Sequence, residues 1–96
     1  GLSFYPEPAT LRGLNPTELQ SLIEEATFDY TMGENEAALA KLGRATTSAP
    51  TSFAAWHALA EIYFSLRRFD EARDAAEKAH AIQPDDLFIN TTLSRI

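Results

Sequence analysis

The chain has 96 residues, 45% of them hydrophobic, with 14 acidic and 8 basic side chains and a formal net charge of −6. It contains no cysteine, which excludes disulfides, thiolate metal sites and a catalytic thiol. The cations (Arg12, Lys41, Arg44, Arg67, Arg68, Arg73, Lys78, Arg95) are scattered, so no basic stripe is present to displace counterions from a nucleic acid or to face an anionic membrane.

The expected partners therefore include no nucleic acid and no membrane. No apolar run approaches the roughly 20 residues that span a bilayer. The opening Gly1-Leu2-Ser3-Phe4-Tyr5-Pro6 lacks the basic start and long apolar stretch of a leader. A soluble, cytoplasmic domain with a small core is expected, although a start at Gly1 instead of Met is also compatible with a removed leader.

Residues 1–14 contain Pro6, Pro8 and Gly13, which disfavour helix, and predict an extended arm carrying Leu2, Phe4, Tyr5 and Leu11. Such an arm is either a tail or linker, or it packs Phe4, Tyr5 and Leu11 over the end of the helical domain that follows over 15–96 or into a neighbour's groove. The first helix has a well-marked start: Asn15 to cap, Pro16 at the first helical position and Glu18 to complete a capping box. Leu19, Leu22, Ile23, Ala26 and Tyr30 follow at helical spacing, and Gly33 breaks the run. A second helix carries Ala37, Ala38, Leu39, Leu42 and Ala45 and ends before Pro50. A third opens after Thr51 or Ser52 as cap, with Phe53, Trp56, Leu59, Ala60, Tyr63 and Phe64 on its apolar face. Arg67 and Arg68 are placed at its end, where cations suit the negative pole of the helix dipole. Asp70 and Glu71 open a fourth helix lined by Ala72, Ala75, Ala76, Ala79 and Ile82, which Gln83-Pro84 stops. Asp85 or Asp86 caps a fifth, with Leu87, Ile89, Leu93 and Ile96. No stretch alternates as a strand would. The fold class is all-α, about five helices, and short connections make neighbours antiparallel.

A fixed period underlies these elements. The offset from Pro50 to Pro84 also aligns Ala26 with Ala60, Ala38 with Ala72, Ala45 with Ala79, Leu59 with Leu93 and Phe53 with Leu87. It equals the tetratricopeptide period of about 34 residues. Trp56, Leu59, Ala60, Tyr63, Phe69, Ala72, Ala79 and Pro84 resemble that family's ordered pattern, with Ala76 where a larger aromatic is usual. An earlier unit keeps Ala26, Gly33, Ala38, Ala45 and Pro50 but has Leu22, Glu25 and Asp29 in place of Trp, Leu and Tyr, with Tyr30 one residue on. The units run at about 19–52 and 53–86, with a partial third at 87–96 that has Asn90 in the Trp place.

The resemblance implies antiparallel helix hairpins stacked as a short right-handed solenoid, and a protein-binding adaptor or scaffold instead of an enzyme. It also implies a concave groove lined by the first helix of each unit, here Gln20, Ile23, Thr27, Tyr30, His57, Glu61, Phe64, Phe88 and Thr92. Some members of the family hold a partner's C-terminal carboxylates with Lys, Arg and Asn there. The residues in this groove are not of that type, so an apolar or mixed peptide with a basic residue facing Glu61 fits better. The alternative is that these side chains finish the core or a homodimer contact, because two and a fraction units fall short of a stable array.

No cofactor is called for. His57 and Glu61 are four apart on one helix and His80 is on another, which is too few ligands for a metal. Ser65 and His57 form no nucleophile–base–orienter set, and Gly1, Gly13, Gly33 and Gly43 are isolated, so no phosphate loop exists. Glu24, Glu25, Asp29, Glu34 and Glu36 make the first hairpin locally acidic, either a solvated face or a docking place for a basic partner.

Overall fold

A computed structural model of the protein describes residues 14–96, so the arm expected over 1–14 lies outside the described residues except for Leu14, which packs half-buried against the core. The described chain forms five helices: α1 (Pro16–Thr31), α2 (Asn35–Ser48), α3 (Phe53–Ser65), α4 (Phe69–Ile82) and α5 (Leu87–Arg95). Helices α1 and α2 pack as one antiparallel pair, α3 and α4 as the next. Helix α3 also meets both helices of the first pair, and α5 meets α4 and α3 in the same way.

Apart from the cap of α1, the local chemistry that starts and stops the helices recurs at the repeat offset. Asn15 accepts from the Glu18 backbone N–H at 2.8 Å while Glu18 accepts from the Asn15 N–H at 3.0 Å, a reciprocal capping box with Pro16 just inside it. Ser52 Oγ accepts from the Ala55 N–H at 3.3 Å, and one repeat further on Asp86 Oδ2 accepts from the Ile89 N–H at 3.0 Å. Before each of these caps the chain is pinned by a side chain that reaches back. The Trp56 indole N–H donates to the Pro50 carbonyl at 2.7 Å, and the Asn90 amide donates to the Pro84 carbonyl at 3.0 Å. Asn90 thus reproduces the tie of the indole without its bulk.

The turn inside each pair repeats as well. The Gly33 N–H donates to the Tyr30 carbonyl and the Glu34 N–H to the Asp29 carbonyl, closing the end of α1. The Arg67 N–H donates to Phe64 and the Arg68 N–H to Tyr63 in the same register. This double closure requires a left-handed residue, and Gly33 supplies it at φ 83°. Arg67 supplies it at φ 63°, the one non-glycine in that region among the described residues. Arg67 and Arg68 therefore lie beyond the last turn of α3, which has no basic residue. The dipole reading of that pair is corrected: Arg68 instead clamps Glu71 with two hydrogen bonds of 3.0 and 2.6 Å and lies 5.0 Å from the centre of the Tyr63 ring.

Alanine sets the helix spacing. Ala26, Ala38 and Ala45 in the first pair, and Ala60, Ala72 and Ala79 in the second, are all fully buried. Small side chains there let the helix surfaces interlock closely, and Leu42 and Ile89 fill the deepest space between them. Ala76, where a larger side chain was expected from the resemblance, is also fully buried. Where the second pair has Tyr63, the first has Asp29, whose buried Oδ2 lies 2.7 Å from the Lys41 ammonium of α2. The ammonium compensates the charge of this buried oxygen and ties α1 to α2. Tyr30 packs partly buried against the core one residue on.

Candidate functional site

The first helices of the pairs, α1 and α3, meet each other directly, and α3 in turn meets α5. Their side chains off the core are the candidates for binding. The structure brings His57 and Phe88 together across α3 and α5, with ring centres 4.7 Å apart. Phe53, four residues before His57, stands 5.5 Å away. The imidazole is thus in tilted contact with two phenyl rings, and all three side chains are half-buried. Glu61, one turn further along α3, is exposed.

The other mapped residues do not converge equally. Phe64 meets Phe69 of α4 edge to face at 5.4 Å. It lines a separate cleft with Phe69, Asp70, Arg73, Arg95 and Ile96, where Arg73 donates to the Ile96 carbonyl at 3.0 Å. Ile23 belongs to the core, and Thr92 is 3% exposed, so neither side chain reaches solvent. At the repeat offset Thr92 matches the buried Ala58, whereas His57 matches Thr91, which is exposed. Thr27 is exposed, but its hydroxyl donates to the Ile23 carbonyl at 3.0 Å. Gln20 is exposed and its amide donates to Glu24 at 2.9 Å. Phe53 was missed from sequence as a member of the site, although its i, i+4 spacing from His57 is the signal that finds it.

Among the described residues, no group of three or more His, Asp or Glu stands close enough to hold a metal ion. No described helix is long and apolar enough to cross a membrane.

The tetratricopeptide repeat family model matches residues 53–86, the stretch that builds α3, its left-handed turn and α4. The chain contains a tetratricopeptide repeat. No curated protein sequence matches it significantly. Six of the residues that carry the tetratricopeptide pattern support the hairpin: Leu59, Ala60, Ala72 and Ala79 are buried, while Trp56 and Tyr63 carry the cations of Lys78 and Arg68 over their rings. A tetratricopeptide repeat is a protein-interaction module and typically non-catalytic.

Proposed function

We propose that the chain is an adaptor that binds a peptide segment of a partner protein along the aligned first helices, centred on His57. The supporting observation is the Phe53–His57–Phe88 trio, which joins two helices and remains half-exposed instead of sinking into the core. In this reading units at about 19–52 and 53–86 and the start of a third at 87–96 together form a groove. The apolar ring edges take an apolar side chain of the peptide, and exposed Glu61 takes a basic one. None of the mapped positions carries Lys, Arg or Asn, so a terminal carboxylate finds no cation there. No covalent chemistry is assigned, and the protein is not an enzyme in this proposal.

The test is selection of short random peptides on the protein, followed by amide chemical-shift mapping. The expected peptides pair an apolar residue with Lys or Arg, shift α3 and α5, and lose about tenfold in affinity with His57→Ala or Glu61→Arg. The proposal fails if no selected peptide shifts α3 and α5. It also fails if sedimentation shows a stable homodimer with the trio buried between copies, which would make the groove self-occupied.

A further inference from the structure

The repeat offset identifies a third kind of surface. Helix α3 has three sides. Trp56 lies towards Lys78 of α4, and Ala54 and Glu61 face solvent. The remaining ridge, Ala55, Ala58, Ile62 and Leu66, is buried or half-buried and is the side left for α3 to meet the first pair. The equivalent ridge of α1 is Ser21, Glu24, Phe28 and Met32. Ile62 is 3% exposed, whereas Phe28 and Met32 are each 63% exposed. Among the described residues, no helix takes on α1 the place that the first pair takes on α3.

The chemistry of this ridge is not that of α3. Glu24 stands in place of Ala58, and Glu25 in place of Leu59. A cleft of about 370 Å³ runs along it, lined by Ser21, Glu24, Glu25, Phe28, Asp29 and Lys41. Lys41 lies 2.7 Å from Asp29 and 3.5 Å from Glu25, so its single charge is shared between two carboxylates. Among the described residues, Glu24 receives only the neutral amide of Gln20 at 2.9 Å. An occupant made of apolar residues alone would bury these carboxylates uncompensated, which is costly. An occupant with apolar side chains over Phe28 and Met32 and cations beside Glu24 and Glu25 would not.

We propose that this ridge of α1 docks an amphipathic helix of a partner protein bearing Lys or Arg beside its apolar stripe. The helical form follows from the equivalence with α3, whose matching ridge is met by helices. The cation follows from the excess of carboxylates. This surface is separate from the His57 groove and does not depend on it.

The test uses the full chain and a synthetic peptide of about 14 residues, leucine and lysine arranged to give one apolar and one cationic helical face. Chemical-shift mapping is expected to move α1 around Ser21–Met32. The combined Phe28→Ser and Met32→Ser change, both at exposed positions, should weaken binding about tenfold. Glu24→Gln with Glu25→Gln should weaken it about threefold and flatten its salt dependence. His57→Ala should leave it unchanged, and a peptide with glutamate for lysine should not bind. Circular dichroism confirms that each variant is folded. The proposal is overturned if the peptide moves α3 and α5 instead, if it binds the Phe28→Ser, Met32→Ser protein equally, or if it does not bind. It is also overturned if deleting residues 1–13 raises affinity about tenfold, which would make the chain's own arm the occupant. A concentration-dependent dimer abolished by Phe28→Ser would overturn it in favour of a second copy.

Discussion

Gly33 and Arg67 are equivalent positions in successive repeats and hold the same left-handed backbone conformation, at φ 83° and 63°. For glycine this conformation is free of Cβ strain; for arginine it costs about 1 kcal/mol. Arg67→Gly should therefore raise stability by about 0.5–1 kcal/mol, part of the gain being offset by the greater freedom of glycine in the unfolded chain. Gly33→Ala should lower it by about 1 kcal/mol, and the loss is purely a backbone effect because a Cβ at Gly33 would meet nothing within 4 Å. Urea midpoints of the two variants check both signs.

Trp56→Phe keeps an aromatic ring at the start of the second hairpin but deletes the donor to the Pro50 carbonyl. A loss of about 1 kcal/mol is expected. Asn90→Ala removes the corresponding tie to Pro84 and should loosen α5 first, seen as faster amide exchange in α5 than in α3.

Ala60→Leu adds volume where α3 is fully buried. Overpacking of this kind should cost about 1–3 kcal/mol. Leu42→Ala makes the opposite error, leaving a cavity, and should cost about 2–5 kcal/mol. Thermal unfolding followed by circular dichroism measures both; a neutral Ala60→Leu would show that close helix approach is not what the alanine requires.

High pH should weaken the fold through two groups. The hydrogen bond with Asp29 holds the Lys41 ammonium above its ordinary value of 10.5, reinforced by the charges of Asp29 and Glu25 against a smaller cost of burial. Burial pushes the Tyr63 phenol above 10.0, with Glu71 and Glu36 adding to it and Arg68 opposing. Both groups bind a proton more tightly folded than unfolded, so their contribution is complete below the unfolded values and is lost as pH rises through the folded ones. Urea midpoints should hold up to about pH 9 and fall above about pH 10, and Lys41→Gln with Tyr63→Phe should reduce the fall.

Helix order and the cap at Asn15 were legible in the sequence, and the caps at Ser52 and Asp86 to within one residue, because capping depends on a residue and its next three neighbours. The left-handed role of Arg67 was not, because the pair Arg67-Arg68 also satisfies the simpler rule that cations follow a helix. Only comparison with Gly33 at the fixed offset separates the two. The meeting of His57 with Phe88 was half-legible: both residues were mapped to the first helices, but their contact depends on how α5 sits on α3. Phe64 turned to Phe69 because the start of α4 lies beside the end of α3, a tertiary fact that spacing along one helix does not contain. Phe28 and Met32 drew no attention in the sequence, since exposed apolar residues become visible only once their buried counterparts Ile62 and Leu66 are known.

Each substantial helix–helix contact joins helices no more than two places apart in the chain. Cohesion is therefore passed between near neighbours, and α3, which meets each of the other four described helices, is the link that joins both ends. Ordering can begin in any hairpin and spread by closing small loops. A ligand seated at one end would slow amide exchange in the adjoining hairpin more than in the one beyond, so the reach of its effect along the chain would report where it sits.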